Sequence, residues 1–194
     1  MPSELELDAD QIVAAAVQIM RESGLDAISM RSVAGRLGVT PPPVYSRIGN
    51  KAALTDAVAE HLLDDLAPGL ERDEPWPDYA RRWTHQLRVR LTDAADSRLF
   101  LGAKRPAYLK ASQPLLKSMR RDGMSADMSV RACRLLTWAT VGFVAMNHPP
   151  IRNSTRGRGR LAGSDPAGVT SEEVDELFVT HIDYLIEGIR RDGA

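Results

Sequence analysis

The spacing of apolar residues divides the chain into a succession of helices. Ile12, Ala15, Ala16, Ile19 and Met20 repeat at helical intervals behind Asp8, which pairs with Gln11 as an approximate capping box, and Gly24 ends the run. Leu25 and Ile28 are expected to plug the space between this helix and the next. Ser29 is placed to cap a second helix, in which Val33, Ala34 and Leu37 form one stripe before Gly38 supplies a left-handed terminus. Thr40 then stands as the cap of a third helix. Pro41, Pro42 and Pro43 follow in its first turn, where a missing N–H removes no intrahelical bond. Asn50 caps a fourth, expected to run through Ala57, Val58, His61, Leu62 and Leu66 to a stop at Pro68 and Gly69. In that form it is a lever: a push at Leu66 tilts Lys51 and the third helix together.

The remaining pattern is also helical. Trp83, Leu87 and Leu91 recur every four residues in a helix over about 78–95, a short helix follows over 98–103, and Arg105 and Pro106 break it. Further helices are expected over about 107–121, ending at Gly123, and from Ser125 to the stop at Pro149. A last one opens with the capping box of Thr170 and Glu173 and continues to about Arg190 on a broad stripe that includes Val174, His181 and Ile189. No stretch alternates with period two, so the fold class is all-α. The expected organisation is a three-helix domain over 1–50, a connecting helix over 51–67, and a helical domain over 68–194 interrupted by a flexible loop over 147–169.

Charge sharpens one stretch. The whole chain of 194 residues carries a formal net charge of only −1, yet between Asp26 and Asp56 there is no acid while Arg31, Arg36, Arg47 and Lys51 are all basic. Two short helices joined by a glycine turn are the pattern of a helix-turn-helix, whose second helix enters the major groove by its first residues. On that reading Ser29 and Thr40 belong to the DNA-binding set, Arg31, Tyr45 and Lys51 hold phosphates, and Pro41, Pro42, Pro43, Ser46 and Arg47 face the groove. Arg47 is the candidate for a specific base contact, since arginine pairs bidentately with guanine, and the prolines suit a thymine methyl. The rival is a solvated basic hairpin.

Other chemistry finds little support. His61, His85, His148 and His181 lack the paired spacing of a zinc site, no phosphate loop follows a strand, and no nucleophile elbow is present. No enzyme activity, metal or cofactor is expected. No run of eighteen apolar residues exists, the first residues are acidic, and the single Cys133 suits a buried thiol, so the expected location is the cytoplasm. Arg152, Arg156, Arg158 and Arg160 in the Gly-rich loop read first as a solvated connection and second as another nucleic-acid contact.

The residues Ser29, Arg31, Leu37-Gly38-Val39, Pro42, Tyr45 and Asn50-Lys51-Ala52-Ala53-Leu54 resemble the DNA-binding domain of the tetracycline repressor family of bacterial transcription regulators. Ile48 is similar to the small aliphatic residue of that family's founding branch, whereas Ser46 and Arg47 replace an aromatic and a histidine. Residues 76–146 also look like the founding branch's ligand domain, through Trp76 and Leu101-Gly102-Ala103-Lys104-Arg105-Pro106.

The resemblance implies a homodimeric regulator that binds a palindromic double-stranded DNA operator and leaves it when a small molecule binds. The alternatives are a DNA-architectural or a ligand-independent DNA-binding protein. The expected pocket is lined by Trp83, Leu87, Phe100, Leu116, Trp138 and Phe143, with Arg105 and Lys117 as polar anchors. The resemblance places a four-helix interface on the last two long helices, through Val130, Trp138, Val141, Leu177, Phe178, Ile182 and Leu185. Phe100 stands where the founding branch has its magnesium-holding histidine, Trp83 replaces a drug-binding asparagine, Lys117 a glutamine, and Ala67 a histidine. Magnesium needs oxygen ligands and water, so tetracycline binding through magnesium is not expected.

Overall fold

The computed structural model describes residues 7–64, 66–94, 99–100, 105–147 and 170–192, with 105–107 described by backbone alone. Eight α-helices have described bounds: α1 Ala9–Ser23, α2 Met30–Leu37, α3 Pro41–Ile48, α4 Lys51–Leu63, α5 Trp76–Asp93, α6 Arg105–Arg121, α7 Ala126–Asn147 and α8 Ser171–Asp192. No strand occurs among the described residues.

Local signals set most of these limits. Asp8 accepts from the backbone of Asp10 while Gln11 returns to the Asp8 N–H, so both halves of the first box satisfy orphan donors. Ser29 accepts from Ser32 N–H at 3.0 Å, and Ser32 Oγ receives the Ser29 N–H at 2.9 Å, a second box made without a carboxylate. Gly38 ends α2 at φ 69°, in the left-handed region where a Cβ is costly.

The three-helix unit packs by its stripes. α1 lies against α2 and α4 and touches α3, and Ile12, Ala16, Met20, Ile28, Val33, Val44, Leu54 and Val58 are all buried. Ile28 is thus a core plug; Leu25 is only half buried. In the second unit α5 is central, meeting α6, α7 and α8. Trp83, Leu87 and Leu91 are buried along it, and Trp83 Nε1 donates to the Ala111 carbonyl at 2.9 Å.

Three boundaries differ from the sequence reading. Helix α4 stops at Leu63, because Asp64 turns to extended backbone and Leu66 leaves the helix to be buried in the core. The rigid lever therefore ends at Leu63, and its coupling to the second unit runs through the packing of α4 on α6 and the 2.7 Å ion pair of Asp64 with Lys110. Helix α5 starts two residues early, since Trp76 N–H finds the Asp122 carboxylate at 2.6 Å, a partner 46 residues away. Arg105 and Pro106 open α6 rather than break before it, proline being harmless in a first turn. Residues 148–169, with the four loop arginines, and most of the expected 98–103 helix lie outside the described residues.

Candidate DNA-binding face and effector domain

Helix α3 has one inward residue. Val44 is fully buried, while Pro42, Pro43, Tyr45, Ser46 and Arg47 are exposed, with Tyr45 at 49%. Burying Val44 is worth about 1.5–3 kcal/mol and fixes the helix's rotation, so the opposite side faces outward. Thr40 occupies the cap position in extended conformation, but its hydroxyl makes no capping bond. The reason is the sequence that follows: Pro41, Pro42 and Pro43 fill the first three helical positions, and none has an N–H to give. The tip of α3 is therefore an apolar cap without backbone donors, the opposite of a helix N-terminus built for anions.

The basic residues divide into three kinds. Arg31 and Lys51 are exposed, the latter as the first residue of α4 behind Asn50, whose side chain accepts the Ala53 N–H at 2.9 Å. Arg36 is engaged instead with Glu22 of α1, bonding both carboxylate oxygens. That contact holds the Glu22 carboxyl below its ordinary range and raises the guanidinium. Arg47 donates Nε–H to the carbonyl of Leu7 at 2.8 Å. Its guanidinium is thus engaged in part with the arm before α1, while the residue itself stays exposed. Ser29 is likewise occupied by its box with Ser32, which leaves it half buried.

The residues expected to line a pocket fall in different settings. Trp83, Leu87 and Phe100 are buried core residues at 0–2% exposure. Trp138 is 68% exposed on the outside of α7, because α7 buries its other side through Ala132, Cys133, Leu136 and Val144. Phe143 packs edge-on against Phe178, with ring centroids 5.2 Å apart. Leu116 and Lys117 border an open groove of about 1110 Å³ beside the linker after α4. The side chain of Arg105 lies outside the described residues. Arg120 and Arg121 also border this groove and were missed, although the basic pair at the end of α6 is visible in the sequence.

The expected dimer stripe splits in two. Phe178, Ile182 and Val141 are buried within the protomer, where α8 packs on α5 and α7, and Leu185 is half buried against the same core. Arg88 caps this region, its guanidinium 4.7 Å from the Phe178 ring and 5.6 Å from Phe143. Leu177, Trp138 and Val130 remain outside, joined by Leu135, Met146, Val179 and Tyr184.

Residues 12–58 match the family model described as bacterial regulatory proteins, tetR family. The match covers the three-helix unit and most of α4. The tetracycline repressor protein class A from transposon 1721 of Escherichia coli is 29% identical over 143 residues, which are 72% of this chain and 66% of that one. The match thus spans just under two thirds of that relative's length. A TetR variant from Acinetobacter baumannii AYE, solved in complex with minocycline, superimposes at a TM-score of 0.76 with 25% identity, covering 97% and 99% of the two chains. A possible TetR family transcriptional regulator from Streptomyces coelicolor A3(2) gives 0.76 with 27% identity over 95% and 99%. No described helix of the chain is long and apolar enough to cross a membrane. Among the described residues no cluster of three His, Cys, Asp or Glu side chains is placed to hold a metal.

Proposed function

We propose that the protein is a homodimeric transcriptional repressor that binds a palindromic DNA operator and is released by a small organic ligand. The observation that carries this reading is the outward face of α3. With Val44 as the only buried residue, Pro42, Pro43 and Ser46 are free to meet base edges, while Tyr45 beside them and Arg31 and Lys51 at the flanking helix starts meet phosphates. The exposed patch of Trp138, Leu177 and Tyr184 suits a twofold partner, which sets two such faces about one helical turn apart. Ligand control is supported by a relative with minocycline bound and by the open groove beside the linker that leads to α4.

The test is binding of the purified full chain to duplexes taken from the intergenic DNA beside its own gene. One duplex should bind with sequence preference and at a stoichiometry of one dimer per palindrome. Arg31→Ala together with Lys51→Ala should weaken all duplexes alike and flatten the salt dependence by about two phosphate contacts' worth of slope. Equal binding of every sequence favours the architectural alternative, and an enzyme would keep its activity in the same variant.

A further inference from the structure

The groove beside the linker has an uneven charge. Its walls include Pro68 and Gly69 of the linker, Leu116, Lys117 and Arg120 of α6, and Val130 of α7, and no acidic residue lines it. Lys117 and Arg120 make no ion pair or side-chain hydrogen bond with any described residue. Arg81 is paired with Asp78 and Asp183, Arg82 with Glu74 and Arg88 with Asp175, whereas Arg72, Arg90, Arg131 and Arg134 are unpaired among the described residues but border neither groove. Two uncompensated cations on a surface usually mean only a wet face. Here they converge on one concavity with apolar walls, the composition of a ligand site with a few orienting polar groups. The smaller groove between α5 and α8, about 410 Å³, offers no such field, since Asp183 lies in its wall and its Arg81 and Arg82 are paired.

We infer that the linker groove takes a small organic anion, with its acidic group against Lys117 and Arg120 and its apolar body against Pro68, Leu116 and Val130. The regulatory meaning of this site rests on the ligand-released repressor reading above; the anion chemistry stands on the groove itself. The groove's position gives it leverage. The linker is clasped by arginines at its middle and at its far end: Arg82 donates to the Gly69 carbonyl at 2.8 Å, and Arg121 donates to the Glu74 carbonyl. Arg121 also borders the groove, so an anion there competes for the guanidinium that holds one end of the linker. The other end of that linker leads to α4 and its Asp64–Lys110 pair.

The probes are 8-anilino-1-naphthalenesulfonate and its uncharged counterpart N-phenyl-1-naphthylamine, which differ by the sulfonate alone. Both are titrated by fluorescence into the purified chain at low salt. The sulfonate is expected to bind roughly tenfold or more tightly than the neutral probe, a preference that falls with added salt. Lys117→Gln with Arg120→Gln should abolish the preference and leave the neutral probe's affinity unchanged; both residues are exposed, and circular dichroism checks the fold. Equal affinities for the two probes, or a preference that survives in the double variant, overturn the inference. Duplex binding in the same samples separates the two readings. A preference carried by the two cations without any effect on duplex affinity keeps the anion site and defeats ligand release. Intact duplex binding with no charge preference defeats the anion site alone.

Discussion

Arg47 Nε donates to the carbonyl of Leu7 at 2.8 Å, tying the exposed end of the recognition helix to the arm that precedes α1. We propose that a guanidinium so placed supports the helix's position rather than reading a base. Arg47→Ala should therefore lower affinity by a similar factor, less than about tenfold, for every operator variant, as one lost hydrogen bond costs about 1 kcal/mol. Fluorescence anisotropy over a single-substitution operator series decides this. Relaxed discrimination confined to one base pair would restore Arg47 as a base contact.

Two hydroxyl caps that look alike should behave differently. Ser29→Ala removes a bond to the Ser32 N–H and should cost about 1 kcal/mol in urea unfolding. Thr40→Ala removes no capping bond, since three prolines follow it, and should stay within about 0.5 kcal/mol. Equal losses at both positions would refute the donorless tip.

The two tryptophans of the second unit should separate folding from assembly. Trp83→Ala empties a fully buried site and leaves the Ala111 carbonyl without its donor, for a loss of about 3–5 kcal/mol. Trp138→Ala should leave the folded protomer intact and raise the dimer dissociation constant about thirtyfold, the effect of an interface anchor worth about 2 kcal/mol. Sedimentation velocity across concentrations measures it, and an unshifted dimer would move the interface elsewhere.

The linker clasp should weaken in acid. Arg82 hydrogen-bonds both oxygens of Glu74 and holds that carboxyl below its ordinary value. A depressed folded pKa means the contribution is complete above the unfolded value of about 4.3 and is lost as pH falls through the lower folded one. The stability gap between wild type and Glu74→Gln should be constant above about pH 5 and close below pH 4. A gap that widens in acid would contradict the pairing.

Magnesium-dependent tetracycline binding should be absent. Phe100 and Trp83 have no oxygen to offer the ion, and both are closed within the core at 2% and 0% exposure. Isothermal titration with tetracycline and magnesium should give no heat beyond dilution; a saturable, magnesium-dependent signal would overturn this.

The sequence alone determined what depends on near neighbours. Asp8 with Gln11, Ser29, Gly38, Asn50 and the three prolines act within four residues, so their caps and turns are readable from spacing, and with them the helix-turn-helix. Only the tertiary structure decided which side of each amphipathic helix faces inward. On α8 the apolar stripe was broader than one neighbour covers, and packing on α5 and α7 took Phe178 and Ile182 while leaving Leu177 outside. Trp138 went out and Trp83 in for the same reason: hydrophobicity says that burial is favourable, but only the positions of the other helices say where it is available. The Leu7–Arg47 bond and the Trp76–Asp122 bond join residues 40 and 46 positions apart, distances at which no local pattern carries a signal.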